Sequence, residues 1–256
     1  MTLTHDQHVW LPAERGRPAK PWLRTLAASV TAQLALLTLL SLLTGLGPIG
    51  WLAAAGYTAA VWLGLATGLR GRGALGPADK VTLTRSALVG CVTALVADTA
   101  HRPAPVALLV GMTLVALVLD GVDGQVARRT GTASDLGARF DMEVDAFLIL
   151  VLSAFVAIQL GPWVLAIGLM RYAFIAAGRL VAWMRVPVPS SMAGKVVAAT
   201  QGVVLVVATA GILPVPVLAW AVGIALAALV WSFGRSVLWL WRNRFRLSAP
   251  EPARTR

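Results

Sequence analysis

The sequence predicts an all-α polytopic membrane protein of about eight spans. Three observations carry that expectation: an apolar excess, a series of long apolar runs, and an alternating placement of basic residues. Of the 256 residues, 58% are hydrophobic and 13% charged, and the mean hydropathy is +0.77. Soluble domains hold about 45–50% apolar and about 25% charged residues, so this excess is more than a buried core absorbs.

Apolar stretches close to the roughly 20 residues that a helix needs to cross hydrocarbon run over 26–47, 50–69, 82–100, 104–124, 140–160, 163–185, 194–212 and 216–240. The third and seventh are short and flanked by small residues. The polar segment before the first run, followed by an apolar stretch longer than a secretory signal carries, marks that run as a retained span. A lone cysteine, Cys91, excludes an internal disulfide.

The net charge of +11 is topological. Arg15, Arg17, Lys20 and Arg24 precede the first run, and Arg70, Arg72, Lys80 and Arg85 fall between the second and third or just inside the latter. Arg128, Arg129 and Arg139 separate the fourth from the fifth, Arg185 and Lys195 bracket the loop between the sixth and seventh, and Arg242, Arg244, Arg246, Arg254 and Arg256 follow the eighth. The opposite connections hold only Arg102. Positive residues gather on the cytosolic side of membrane proteins, so both termini are expected there. Attraction to anionic lipid headgroups accounts for the remaining basic character, and no nucleic-acid partner is expected.

Acidic residues are few, and six of the 11 fall between Asp120 and Asp145. Asp120 and Asp123 stand three apart at the end of the fourth run, and Asp141 and Asp145 stand four apart at the start of the fifth. Each pair therefore shares one helical face. The short connection between the two runs predicts antiparallel neighbours whose acidic faces meet. Carboxylates gathered at membrane depth repel unless a cation compensates. An oxygen-only ligand set, with His5, His8 and His101 all elsewhere, favours a hard ion such as Mg²⁺, Mn²⁺ or Ca²⁺. Gly124, Gly131 and Gly137 allow close approach of a ligand, and Arg128 offers a forked donor to phosphate. A metal–diphosphate site follows from that company, against the plainer reading of a solvated loop with interhelical ion pairs.

The pattern Asp120-x-x-Asp123-Gly124-x-x-Ala127-Arg128, eight residues, Gly137-x-x-x-Asp141-x-x-x-Asp145 resembles the signature of the CDP-alcohol phosphotransferase family at every fixed position. The resemblance covers roughly 76–241. It implies a six-helix catalytic core, usually a homodimer, preceded here by two extra transmembrane helices. The implied organisation is a cytosolic N-terminal segment 1–24, a transmembrane hairpin 25–70, the core 71–245 and a cytosolic tail 246–256, in the cell membrane with the site on the cytosolic face. The implied activity is Mg²⁺- or Mn²⁺-dependent transfer of a phosphatidyl or related group from a CDP-linked lipid, such as CDP-diacylglycerol, to a hydroxyl acceptor, with release of CMP. By motif position, Asp120, Asp123 and Asp141 resemble metal ligands, and Asp145 resembles a residue of the metal site that is also the general base. Asp120, Gly124, Ala127 and Arg128 would lie against the nucleotide. Pro77-Ala78-Asp79-x-x-Thr82-x-x-Arg85 is similar to the family's entry into its first core helix, which adds Asp79, Thr82 and Arg85 on the nucleotide's other side. Asp stands at 79 where Asn is frequent, and one extra residue follows the proline.

An acceptor side is expected from Arg171 and Arg179, eight apart on the sixth run, with Lys195 and Arg235. Ser191-x-x-Gly194-Lys195 resembles the Gly-Lys segment of phosphatidylglycerol-phosphate synthases, with Val197 and Ala198 where that subgroup has Lys and Thr. The plainer reading pairs these arginines with acidic groups or carbonyls inside the membrane. Two other functions fit an acidic membrane protein: an ion or metal transporter, and a catalytically inactive scaffold. Acids lining one membrane boundary, with no internal repeat, disfavour the first, and four intact aspartates disfavour the second.

Overall fold

In the computed structural model, residues 21–68, 77–130, 135–186, 188 and 191–247 are described, and they form eight α-helices. These are α1 (Pro21–Thr44), α2 (Pro48–Gly68), α3 (Pro77–Asp98), α4 (Val106–Thr130), α5 (Asp135–Leu160), α6 (Leu165–Leu180), α7 (Met192–Ala210) and α8 (Val215–Leu247). No strand occurs among the described residues. Seven of the helices are long and apolar enough to cross a membrane, and α4 contributes a shorter apolar stretch, Val106–Gly121. That stretch runs straight into the turns that carry the acidic motif. Hydropathy therefore places the end of the fourth run at 124 and the start of the fifth at 140, whereas the helices themselves extend to Thr130 and begin at Asp135. Helix α6 stops at Leu180, and a 3-10 turn, Ala182–Arg185, takes up the rest of the expected sixth span.

Proline and capping residues set the boundaries. Pro21, Pro48 and Pro77 open their helices, where the missing N–H is one the first turn leaves unpaired anyway. Ser191 caps α7 by accepting from the Gly194 N–H at 3.1 Å. Gly211 closes the same helix at φ 63°, a left-handed position that a side chain disfavours.

Helix α3 is the central element. Of its membrane-crossing window 67% is buried, against 17–39% in the other six. Val89, Val92, Leu95 and Cys91 from α3 pack in one apolar core with Leu109 and Ala116 of α4, Val144, Leu148 and Leu152 of α5, Leu205 of α7 and Val222 of α8. The N-terminal hairpin joins that core. Leu37, Leu40, Ala54 and Tyr57 belong to it, and Tyr57 stacks on Phe147 of α5 with ring centroids 4.7 Å apart. A smaller cluster of Leu26, Leu65 and Leu83 ties α1, α2 and α3 together. At the end of α3, the buried Asp98 accepts from the Gly47 N–H at 3.0 Å, which fixes the α1–α2 turn.

Helices α5 and α6 approach closely at Gly168, where a Cβ would lie 2.5 Å from both Leu150 Cα and Ser153 Oγ. Small residues at such crossings let helix backbones meet in a membrane, where packing rather than hydrophobicity drives association. Gly168→Ala should therefore lower the thermal unfolding midpoint of the detergent-solubilised protein, by about 1–3 kcal/mol of stability. Gly56→Ala, on the hairpin with nothing within 4 Å of its Cβ position, should leave the midpoint unchanged.

Candidate active site

The site is built where α3, α4 and α5 converge at one membrane boundary. Helix α5 presents Asp141 and Asp145 one turn apart, and α4 delivers Asp120 at the end of its apolar stretch. Oxygen atoms of Asp120, Asp141 and Asp145 all lie within 4.8 Å of one another, and all three residues are half-buried. Hard divalent ions take carboxylate oxygens at roughly 2.0–2.6 Å. An oxygen-only set this compact fits a Mg²⁺-class ion better than zinc, which takes nitrogen and sulfur donors.

Arg85 lies among these carboxylates. Its side chain is fully buried, and its Nη1 pairs with Asp120 Oδ1 and lies 3.2 Å from Asp145 Oδ1. Its Nη2 donates to Asp141 Oδ1 at 2.5 Å and to the Asp141 carbonyl at 3.1 Å. By the motif, Arg85 lies on the nucleotide's other side. The helix turns it onto the acidic cluster, where α3 packs between α4 and α5 and a buried guanidinium requires anionic partners. Thr82, one turn earlier, is also buried.

Asp123, Gly124, Ala127 and Arg128 fall on the last turns of α4, and Asp79 on the first turn of α3. Their side chains lie outside the described residues, so the second ligand from the Asp120–Asp123 pair and the nucleotide contacts remain expectations from the motif.

The four basic residues expected on the acceptor side divide into separate settings. Arg171 pairs with Glu143 of α5 at 2.5 Å, which is the intramembrane pairing that its position allows, and its Nε is buried with no hydrogen-bond partner. Arg179 is exposed on the last turn of α6, and its carbonyl accepts from Arg185 Nη2 at 3.0 Å. Lys195 and Arg235 share one neighbourhood. Lys195 is exposed on the first turn of α7. Arg235 donates to the capping Ser191 Oγ at 2.7 Å and lies over the Trp231 ring at 5.0 Å. The N-terminus of α7, with its partial positive charge, completes an anion-attracting corner there.

Two features of the site carry no local signature. Glu143, the partner of Arg171, lies between two motif aspartates and is invisible to a motif that skips its position. An apolar groove of about 500 Å³ runs between α2, α5 and α6, lined by Gly56, Ala60, Gly64, Phe140, Val144 and Phe147 with Arg139, Glu143 and Tyr172 among its polar edges. Only the packing of the hairpin against the core creates it.

If the Arg171–Glu143 pair is structural, Arg171→Met and Glu143→Leu should each destabilise the protein, because each leaves an uncompensated charge. The double variant should recover part of the loss, with a coupling of about 0.5–3 kcal/mol in a double-mutant cycle of unfolding midpoints.

Residues 76–232 match the model of the CDP-alcohol phosphatidyltransferase family. Comparison with curated proteins gave no match, and neither did comparison with solved structures. The matched stretch takes in α3 to α7, most of α8, Arg85 and the whole acidic cluster. With more than half of its length matched, the chain belongs to the CDP-alcohol phosphatidyltransferase family.

Proposed function

We propose that this protein transfers a phosphatidyl group from CDP-diacylglycerol, or a closely related CDP-linked lipid, to a hydroxyl-bearing acceptor and releases CMP. The observation that carries the reading is the meeting of Asp120, Asp141 and Asp145, with oxygens within 4.8 Å of one another, inside the family-matched stretch and at the end of apolar helices. A lipid donor and a polar acceptor can meet at such a boundary. The chemistry is phospholipid synthesis at the cytosolic face of the cell membrane, with both termini on that side, in keeping with the distribution of lysine and arginine.

Asp120, Asp123 and Asp141 would hold a Mg²⁺ or Mn²⁺ ion, with Asp145 at its edge. Such an ion offsets the negative charge of a diphosphate and makes phosphorus more electrophilic. The chain's own groups do the rest. Asp145 takes the proton from the acceptor hydroxyl. The acceptor oxygen then bonds to the lipid-side phosphorus as the bond from that phosphorus to the bridging oxygen breaks, and CMP leaves with the bond's electrons. Asp79, Thr82, Asp120, Gly124, Ala127 and Arg128 would seat the nucleotide. The groove along Phe140, Val144 and Phe147 suits an acyl chain of the donor, since it adjoins the aspartate-bearing turns of α5.

For the acceptor, Lys195 and Arg235 at the start of α7 form the stronger subsite, and they favour an acceptor that itself bears phosphate. Arg171 and Arg179 would contribute from α6, though the Glu143 pair directs Arg171 first to stability. A homodimer is the assembly expected of the family.

The test is a vesicle assay with labelled CDP-diacylglycerol, Mg²⁺ or Mn²⁺, and a panel of hydroxyl acceptors. CMP release and a new lipid identified by mass spectrometry are expected. No CMP with any acceptor rejects the reading. Asp145→Asn should cut turnover by about 10²–10⁴-fold, the usual range for a positioned base, with the folded protein retained. Lys195→Ala should raise the acceptor KM by more than it lowers kcat.

A further inference from the structure

Arg85 and a divalent ion make claims on the same atoms. The guanidinium contacts carboxylate oxygens of Asp120, Asp141 and Asp145, and among the described residues these are the ones whose oxygens lie close enough to ligate one ion. An ion ligated at roughly 2 Å by those oxygens would stand within a few ångströms of a guanidinium that also holds them, and like charges at that separation repel strongly where water is scarce. The backbone offers little relief, because α3 is the most deeply buried crossing helix and Val89, Val92 and Leu95 lock it into the core. What can move is the long side chain. Arg85 sits on the helix that opens with the residues expected to seat the nucleotide, so a diphosphate arriving there offers it a bidentate anionic partner.

We propose that Arg85 is an internal counter-cation that exchanges with the divalent ion at Asp120, Asp141 and Asp145, so that metal and the donor's diphosphate load together. This rests on the metal–diphosphate reading above and adds a determinant of metal affinity to it. Before loading, the guanidinium offsets part of the charge of three carboxylates and holds α3 against α4 and α5. On loading, the ion takes the carboxylates and the guanidinium turns to phosphate. Without a diphosphate, the ion must displace Arg85 with no compensation, so metal binds weakly. The exchange also keeps the acidic cluster from being filled by metal when no donor is present.

The experiment measures Mn²⁺ binding to the full chain in nanodiscs by the loss of the free-ion paramagnetic resonance signal, with and without CDP as the diphosphate probe. In the wild type, CDP should tighten Mn²⁺ binding by about tenfold, a coupling of ordinary size between two linked sites. Arg85→Gln should bind Mn²⁺ about tenfold more tightly without CDP, and the gain from CDP should shrink to less than about threefold. Arg85→Lys keeps the charge but loses the fork, and should fall between the two. If Arg85→Gln does not reach the folded state, the position of Arg85→Lys relative to wild type decides. Equal Mn²⁺ affinities and equal CDP effects in wild type and the folded variants overturn the exchange while leaving the metal site intact. Absence of Mn²⁺ binding in every form, with or without CDP, overturns the metal-site reading and the exchange with it.

Discussion

A charge inside a bilayer is tolerated where opposite charge or water meets it, and the geometry of this protein is organised around one such meeting. Arg85 is fully buried and touches aspartates on two other helices. Two unit charges 4 Å apart attract by about 4 kcal/mol at an effective dielectric constant near 20, and by only about 1 kcal/mol in water. Rotating α3 by even one residue would strand the guanidinium among apolar side chains and leave three carboxylates to repel each other. The cluster therefore sets the rotation of α3 against α4 and α5.

The same rule organises the periphery with weaker forces. Arg171 and Glu143 join α6 to α5, close to where Gly168 lets the two helices touch. The Phe174–Phe233 contact, with centroids 5.3 Å apart, brings α8 beside α6. Arg235 then reaches Ser191 and braces the start of α7. Charge in the core fixes the geometry of the acidic cluster, and charge toward the boundary braces the start of α7.

Composition and run length were enough to read the number and order of the helices, because crossing hydrocarbon imposes a length and an apolarity on each. The meeting of Asp120 with Asp141 and Asp145 was legible from spacings of three and four that put acids on single faces, but not the route to it: α3 lies between α4 and α5, and the acids meet around its Arg85. The partners of Arg85 and Arg171 were not legible. Helices that are apolar on nearly every side lack the stripe that reveals which way a soluble helix faces, so the sequence bounds where an arginine sits along the membrane normal but not toward which neighbour it points. Asp98 shows the same limit. Its role emerges only when the turn at Gly47, 51 positions earlier, lies beside it. The ends of α4 and α5 were misjudged for a different reason: helices there continue through polar residues that hydropathy counts as loop.

The bond from Gly47 to Asp98 has a consequence for the sense in which the helices cross. Helices α1 and α2 precede α3 in the chain, and their turn lies at the boundary opposite the Pro77 end of α3. Asp98 reaches the Gly47 N–H because α3 crosses in the same sense as α1, which puts the Pro77 end of α3, and the acidic cluster near it, at the opposite face. An inverted α3 would carry Asp98 to the wrong boundary and leave the turn unlatched. One carboxylate at the edge of the fold thus ties the α1–α2 turn to the end of α3, a contact that only an α3 crossing in the same sense as α1 can make.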